Sequence, residues 1–200
     1  MATERRARKK DRTRQALLDA ALALFSEKGI YAPSIEEITG AADLGKGTFY
    51  QYFSSRDDLI AELVRRGIDG LLIHLNQEIP SAGNKADILK ILFSAHGRYF
   101  HDHPEYLLLL HQARGWMKLP KGTEGPIWQE FVRYVKQLEK YLPKQSGGIA
   151  LTGARRRRMA LILGGSISGI LSFHYLFGGG REALLDLPED SELLGLLMMP

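Results

Sequence analysis

Three neighbouring residues carry groups that can contact the edges of DNA bases: Gly47, Thr48 and Gln51. A glutamine amide can form two hydrogen bonds with adenine, and a threonine can bond through its hydroxyl or pack its methyl group on thymine. Gly47, directly before the threonine, lets the backbone approach closely. This combination suits sequence-specific contact in a major groove.

A helix over residues 46–52 would place these groups on one side. At about 100° per residue, Phe49 and Phe53 lie roughly 40° apart and share the buried side. Gly47 and Gln51 then point away from that side. Three residues lie nearer the helix edges, where phosphates are the expected partners: Lys46, Tyr50 and Tyr52.

A first helix and a turn precede this segment. Ser34 and Glu37 occupy the two positions of a capping box, which starts a helix. An apolar stripe follows at helical spacing: Ile35, Ile38, Ala41 and Ala42. Asp43 and Gly45 tolerate the left-handed backbone angles of a tight turn. Two helices around such a turn are typical of a helix-turn-helix, and a helical hairpin with a solvated face is the alternative.

The excess positive charge of the chain lies at its start. Of the 27 basic residues, seven fall within residues 1–14, against two of the 23 acidic residues. Such a segment has little apolar surface to bury, so residues 1–10 predict an arm that lies along phosphates or enters a minor groove. A solubilising tail is the alternative. The basic groups of the arm are Arg5, Arg6, Arg8, Lys9 and Lys10.

Residues 11–28 predict an amphipathic helix that packs under the helix-turn-helix. Its apolar residues recur at helical intervals until Gly29, which ends it. A secretory signal also begins with basic residues and an apolar stretch, but Asp19 interrupts the stretch and no small-residue cleavage site follows. The N-terminal part is therefore predicted to be a three-helix module.

Three segments share their pattern with one known family. They are Phe-Ser-Glu-Lys-Gly at 25–29, Ser-Ile-Glu-Glu-Ile at 34–38, and Lys-Gly-Thr-Phe-Tyr-Gln-Tyr-Phe-Ser-Ser-Arg-Asp-Asp-Leu at 46–59. Helix lengths, turn position and the Phe-Tyr-x-x-Phe core together closely resemble the N-terminal domain of TetR/AcrR-type transcriptional regulators. The resemblance covers roughly residues 10–65.

The resemblance implies an all-helical homodimer, usually a repressor that a small molecule releases from its operator. It also implies a set of DNA contacts: Ser34, Gly45, Lys46, Gly47, Thr48, Tyr50, Gln51, Tyr52 and Arg56. The chain departs from the family at four positions. Thr39 stands where Ala is frequent, and Asp43 stands where Gly is frequent. Gly45 stands in place of Ser or Thr, and Tyr52 in place of His. Gly45 can still cap a helix, but it supplies no side-chain oxygen to an N–H group or a phosphate.

The whole chain fits an all-α protein of about nine helices. We expect a basic arm (1–10), a helix-turn-helix DNA-binding domain (11–56) and a larger helical ligand-binding and dimerisation domain (57–200). Apolar periodicity and helix stops predict helices over 57–78, 87–101, 104–117 and 127–142. The chain contains no cysteine, which excludes disulfides and fits a reducing cytoplasm.

Residues 159–180 form an uncharged stretch of 22 residues after four arginines. Its length would allow a membrane span, which makes a membrane-anchored regulator one alternative, but its many glycine and serine residues dilute the hydrophobicity. The resemblance instead assigns it, with a helix near 189–198, to a four-helix dimer interface; packing within one chain is the other alternative. Interface candidates are Gly165, Ser168, Gly169, Ser172, Leu193 and Leu197.

The middle helices combine aromatic and polar residues as small-molecule pockets do. Candidate pocket residues are His96, Tyr99, Phe100, His103, Tyr106, Leu110, Arg114, Trp128 and Phe131. Arg114 could pair an anionic ligand group. For any single one of these residues, ordinary core or surface packing is the better explanation.

The motifs of catalysis are missing from the sequence. There is no His-Glu-x-x-His pattern and no glycine loop after a strand, so we expect no enzyme, no metal and no cofactor. The expected partners are an operator in double-stranded DNA, a small-molecule effector and a second copy of the chain, in the cytoplasm and without a membrane. A DNA-binding protein without ligand control is the remaining alternative.

Overall fold

The computed structural model consists mainly of α-helices, which confirms the predicted all-α fold. It describes residues 2–79, 88–117, 125–146 and 149–185. The helices are α1 (Ala2–Lys28), α2 (Ile35–Ala41), α3 (Lys46–Phe49), α4 (Arg56–Glu78), α5 (Ile88–Asp102), α6 (Pro104–Trp116), α7 (Pro126–Tyr141) and α8 (Gly153–Phe177). Two short antiparallel strands, β1 (Gln145–Ser146) and β2 (Ile149–Ala150), precede α8, and a 3-10 helix (Arg181–Leu184) follows it. The predicted helix at 189–198 lies outside the described residues.

The first three helices form a module around one small core. Ser34 caps α2 as predicted: the N–H of Glu37 donates to Ser34 Oγ at 3.1 Å, and the N–H of Ser34 donates to Glu37 Oε2 at 2.8 Å. Asp43 adopts the left-handed conformation, with φ 55°, in the turn before α3. The buried core consists of Leu17, Leu18, Ala21, Phe25, Ile38, Phe49 and Phe53. Each of the large side chains contributes about 1.5–3 kcal/mol through burial.

Two helix boundaries in the N-terminal module differ from the sequence prediction. α1 begins at Ala2 rather than near position 11, so the predicted arm continues the helix. Arginine, lysine and alanine are good helix formers, and extending an existing helix needs no new nucleus. α3 ends at Phe49 rather than Tyr52, because the N–H groups of Gln51 and Tyr52 bond to carbonyls three residues back, at 3.1 and 2.9 Å. These bonds form a tighter turn than an α-helix.

α4 connects the N-terminal module to the helical body. Ser55 caps it, because Ser55 Oγ accepts the N–H of Asp58 at 3.1 Å. Glu62 of α4 then pairs with Arg14 of α1 at 3.0 Å and with Arg65 at 2.6 Å. Burial alone would raise the pKa of Glu62, but the hydrogen bonds from Arg65 and Arg14 lower it to about 2. The carboxylate therefore stays charged and links α1 to α4.

The body packs helices α4 to α8 around a second group of buried residues. α7 contacts both α4 and α8, while α5 and α6 contact α4 from other sides. The buried residues include Leu71, Leu75, Leu92, Phe93, Leu110, Leu138, Leu163, Ile167 and Leu171. Each comes from an apolar stripe of its helix, so the stripes meet at the centre.

α8 is longer than the uncharged stretch that predicts it. It begins at Gly153, where Thr152 Oγ1 accepts the N–H of Arg155 at 3.2 Å. It ends at Phe177, and Gly180 then takes a positive φ of 85°. By length and composition alone, α8 passes as a membrane span within the described part of the chain, with a mean hydropathy of 1.6. A third of that apolar window is buried against other helices.

Candidate nucleic-acid interface and ligand cavity

The recognition segment, which we define as residues 45–52, exposes the side that the helical wheel predicts. Phe49 is fully buried and Phe53 is 4% exposed, so both rings anchor the segment in the core. Gly47 and Gln51 are exposed, and the side chain of Thr48 is half-buried. The edge residues behave similarly: Gly45, Lys46 and Tyr50 are exposed, and Tyr52 is half-buried.

Lys46, the charged residue of the recognition segment, forms an ion pair with a residue of α2. Lys46 Nζ donates to the carboxylate of Glu36, and both side chains are exposed. The hydrogen bond and the opposite charge raise the pKa of Lys46, and the same hydrogen bond lowers the pKa of Glu36. Exposed ion pairs contribute little to stability, so a phosphate can replace Glu36 as the partner of Lys46 at small cost.

A shallow groove brings the start of α1 next to the recognition segment. Its lining combines cations from α1 with two residues of the recognition segment: Arg6, Ala7, Lys9, Lys10, Thr13, Gln51 and Tyr52. Arg5 and Arg8 are exposed on the same helical turns. The basic residues are thus adjacent to the candidate base-contacting glutamine, although 41 or more positions separate them along the chain.

Two predicted DNA contacts have structural partners within the protein. Ser34 uses its hydroxyl to cap α2. Arg56 has partners on two sides: its guanidinium donates to the carbonyl of Ile30 and lies over the rings of Phe25, at 5.7 Å, and Trp116, at 5.2 Å. Burial lowers the pKa of Arg56, but a guanidinium remains charged in proteins. Arg56 therefore joins the N-terminal module to the body.

α6 completes the same joint. The N–H of Ile30 donates to Gln112 Oε1 at 2.6 Å, and Trp116 Nε1 donates to Asp57 Oδ1 at 3.0 Å. The ring of Tyr31 lies 5.0 Å from that of Trp116. Sequence reasoning missed Gln112 and Trp116, because no local pattern signals a bond to a residue so far away in the chain.

A cavity of about 210 Å³ lies in the body between α4, α5, α6, α7 and α8. Five of the nine predicted pocket residues line it: His96, Phe100, Leu110, Arg114 and Phe131. The remaining lining residues were not among the predicted ones and are mainly apolar: Ile68, Leu71, Met117, Tyr134, Val135, Leu161, Gly164, Gly165, Ile167 and Ser168. Apolar periodicity marks such residues as core, and it cannot distinguish a filled core from a cavity wall.

The other four predicted pocket residues do not line this cavity. Tyr99 is buried, and its hydroxyl donates to the carbonyl of Gly67 at 3.0 Å, which ties α5 to α4. The ring of His103 lies tilted against that of Tyr99, 4.9 Å away, and the ring of Tyr106 lies 6.4 Å from His103. Trp128 is 38% exposed and belongs to a separate, smaller concavity with Trp116. All four have the right residue types but face other neighbours.

Two buried polar residues in the cavity wall satisfy each other. A carbonyl oxygen can only accept, so His96 Nδ1 carries the hydrogen that bonds Leu92 O at 2.6 Å. His96 Nε2 then accepts the hydroxyl hydrogen of Tyr134 at 2.8 Å. Burial lowers the pKa of His96 to about 4 and raises that of Tyr134, so both stay neutral.

The predicted interface residues of α8 divide between two sides of the helix. A side chain at Gly165 or Gly169 would meet open space, which allows another helix to approach. Ser172 is a correction: it is fully buried, and its hydroxyl donates to the carbonyls of Ser168 and Gly169 in its own helix. Gly165 and Ser168 also line the cavity. Leu193 and Leu197 lie outside the described residues.

The side of α8 that carries Gly165 and Gly169 is apolar and exposed. Ile162 is 57% exposed, Phe173 62%, Leu176 52% and Phe177 79%. These residues and the two glycines, Gly165 and Gly169, define what we call the outer face of α8. Contiguous apolar surface of this kind marks an interaction site in a folded protein.

No metal site is found among the described residues. The ranges that the structure covers contain no group of three acidic or histidine residues arranged to hold an ion.

Known proteins resemble this chain in sequence and in fold. Residues 17–63 fit the sequence model of bacterial regulatory proteins of the tetR family. The HTH-type transcriptional repressor KstR2 of Mycobacterium tuberculosis is 28% identical over 109 residues, which is 54% of this chain and 54% of that protein. The chain thus aligns with about half the length of that curated relative.

Solved structures extend the similarity of fold to most of the chain. The fatty acid degradation regulator FadR from Bacillus halodurans has a TM-score of 0.69 at 19% identity, covering 91% of this chain and 93% of that one. The regulator FadR from Bacillus subtilis, in complex with stearoyl-CoA, has a TM-score of 0.67 at 18% identity, covering 87% and 96%. These two structures show the likeness of fold, and the match of residues 17–63 to the tetR model confirms the family resemblance seen in the sequence.

Proposed function

From the match of residues 17–63 to the tetR family of bacterial regulatory proteins, we propose that the chain is a homodimeric DNA-binding repressor, released from its operator by a small molecule. One observation carries the proposal. Gln51, on the exposed side of the recognition segment, lies beside the cationic residues of α1 in a single groove. Base contacts and phosphate contacts are therefore available side by side.

DNA binding would use two copies of this surface. Each recognition segment enters a major groove, and in a symmetric dimer the two segments bind half-sites about 34–36 Å apart. The amide of Gln51 contacts a base, while Lys46 exchanges its pairing with Glu36 for a phosphate. The basic turns of α1 neutralise further phosphates, or follow the backbone into the adjacent minor groove.

The outer face of α8 supports the proposed homodimer. Its exposed phenylalanine and aliphatic side chains would be buried against the same face of a second copy, and the open space at Gly165 and Gly169 would let the two helices approach closely. Dimerisation through this face competes with the alternative of a membrane span. In the dimer the apolar side chains contact protein instead of lipid. The proposed dimer therefore needs no membrane and works in the cytoplasm, where its DNA target lies.

Ligand control is supported by the position of α6. This helix carries Leu110 and Arg114 in the cavity wall, and it also carries Gln112 and Trp116 in the joint with the N-terminal module. A ligand that favours a shifted position of α6 would alter the joint at Ile30. The affinity for DNA would then fall by the difference in ligand affinity between the two conformers.

Selection of bound fragments from genomic DNA tests the DNA-binding proposal. We expect enrichment of one palindromic site, and the same site should be lost with a Gly47→Glu variant, because a carboxylate would face the groove. A Gly125→Glu variant is the matched control, since Gly125 also has open space around it but lies before α7. Fragments recovered without a common site would contradict the proposal.

An effector screen on the recovered site tests the ligand control. We expect at least one class of small molecule to release the protein from the DNA. An operator affinity that stays the same with every molecule shown to bind the protein would favour a DNA-binding protein without ligand control. A protein that needs detergent to stay in solution would favour the membrane-anchored alternative.

A further inference from the structure

The cavity contains one charged side chain among its described lining residues, and that side chain is Arg114. Its guanidinium donates to Nδ1 of His111 at 3.1 Å, and within the described ranges no carboxylate forms an ion pair with it. Desolvation lowers the pKa of both Arg114 and His111, which leaves the imidazole neutral and the guanidinium charged. A half-buried cation without an anion is costly, and a bound anion would relieve that cost.

The hydrogen-bonding groups of the cavity favour a ligand that accepts hydrogen bonds. His96 and Tyr134 are already bonded to each other and to the backbone. Arg114 and the hydroxyl of Ser168 remain for a ligand. A guanidinium has no acceptor, and its planar fork matches the two oxygens of a carboxylate.

The volume and the walls of the cavity limit the rest of the ligand. Apart from these polar groups, the walls are aliphatic and aromatic, with Ile68, Leu110 and Phe131 among them. An apolar cavity of about 150 Å³ binds benzene. A cavity of about 210 Å³ therefore accepts roughly eight to ten non-hydrogen atoms by the same scale.

We propose that the effector is a small free monocarboxylic acid, with its carboxylate on Arg114 and its hydrocarbon body among the apolar side chains of the cavity. The inference rests on the ligand control proposed above and names the class of its ligand. It excludes amines, which Arg114 repels. It also excludes long-chain thioesters, which lack the carboxylate and exceed the volume.

Calorimetric titration of the purified full-length protein tests this class without DNA. The probes are octanoate, octan-1-ol and octylamine, which have the same chain length but different charge, together with stearoyl-CoA. We expect octanoate to bind at least about tenfold more tightly than the alcohol, because charge-assisted hydrogen bonds are the stronger ones. Octylamine should bind no better than the alcohol.

Variants then locate the charge. Arg114→Gln should weaken octanoate binding about tenfold or more and affect octan-1-ol binding much less, because only octanoate loses an ion pair. Arg114→Lys, which keeps a cation, should restore part of the affinity. Arg98→Gln is the matched control: Arg98 is exposed on α5 and pairs with Glu78 at 2.8 Å, away from the cavity lining. Circular dichroism establishes that each variant is folded.

Several results would overturn the proposal. They are equal affinity for octanoate and octylamine, unchanged octanoate affinity in both Arg114 variants, or binding of stearoyl-CoA but not of octanoate. The DNA-release assay separates this inference from the proposed function. If octanoate binds through Arg114 and the operator affinity does not change, the ligand class stands and the ligand control fails.

Discussion

At the scale of single residues, burial of two rings determines which side chains of the recognition segment face outwards. Phe49 and Phe53 lie 5.6 Å apart between ring centroids within the core of the N-terminal module. With these rings held inside, the short helix α3 and its turn can orient Gln51 only towards solvent. Gln51 is therefore exposed on a rigid backbone. Such a residue suits direct contact with a base, because the backbone that carries it is already fixed before DNA binds.

The first prediction concerns Gln51→Ala. Loss of a bidentate contact to adenine should cost about 1–3 kcal/mol of operator binding and relax the preference at one or two base positions. Binding to a panel of operator variants measures both effects. Gln77→Ala, at an exposed position of α4, is the control. A base preference that is the same with and without Gln51 would rule out this contact.

The second prediction concerns Arg56→Gln. Arg56 bonds the carbonyl of Ile30 and stacks over two rings, so its loss should lower the free energy of unfolding by about 1–3 kcal/mol. The salt dependence of DNA binding should stay the same, since no phosphate contact is removed. Chemical denaturation and binding at several salt concentrations measure the two quantities. A flatter salt dependence with unchanged stability would restore Arg56 as a phosphate contact.

At the scale of elements, α1 combines two roles along one helix. Its C-terminal half supplies core residues such as Leu17 and Phe25, while its first turns carry exposed basic residues. The helical form sets the spacing of those cations, and the groove places them beside Gln51. The same helix is tied to α4 by the ion pair between Arg14 and Glu62.

The third prediction concerns deletion of residues 2–10. The deletion removes five basic residues, so DNA binding should weaken for operator and random DNA together, and its dependence on salt should become flatter. Binding measured at three or more salt concentrations gives the slope. Changing Arg155, Arg157 and Arg158 to Gln is the control for net charge, because these exposed arginines lie on α8. A slope that is unchanged in the deletion variant would contradict a role in phosphate binding.

The fourth prediction concerns the pH dependence of Glu62→Gln. The pKa of Glu62 falls from 4.5 to about 2 in the folded protein, so its ion pairs stabilise the fold above pH 4.5 and this stabilisation is lost as pH falls towards 2. The variant should be less stable on the order of 1–3 kcal/mol at neutral pH.

Thermal unfolding from pH 7 down to the acid limit measures this difference. We expect the gap between wild type and Glu62→Gln to shrink as the carboxyl becomes protonated. Glu27→Gln, at an exposed position of α1, should show no such change. A gap that is constant across the acid range would mean that the charge of Glu62 contributes nothing.

At the scale of the whole molecule, the outer face of α8 and the cavity lie on adjoining sides of one helix. Leu161 and Gly165 line the cavity and are exposed, whereas Phe173 and Phe177 lie farther along the outer face. A second copy on the outer face would therefore approach the rim of the ligand site. Dimer formation and ligand binding are expected to influence each other through this shared helix.

The fifth prediction concerns Phe173→Glu. A charge in the centre of the proposed interface should convert a dimer of two 22.4 kDa chains into monomers and weaken operator binding, because both half-sites are no longer bound together. Sedimentation velocity measures the size. Ile73→Glu is the control, since Ile73 is 60% exposed on α4. Dimers that persist in the Phe173 variant would exclude this interface.

Local features of the chain were predictable to within a few residues. The capping box of Ser34 and Glu37, the turn at Asp43 and the burial of Phe49 all follow from residues that are near one another in sequence. The start of α1 was not predictable, because the same basic residues suit both an extended arm and a solvent-exposed helix. Their helix propensity and the adjoining helix favour the second form.

The sequence by itself determined most of the helices, the capping box of α2 and the side of the recognition segment that faces outwards, because these depend on spacing within one or two turns. Only the tertiary structure determined that Arg56 belongs to the joint, that Ser172 faces inwards and that Arg114 is the charge in the cavity. These roles depend on which residues from distant parts of the chain surround a side chain. Periodicity identifies a buried side of a helix, but it does not identify the neighbours that the side will meet.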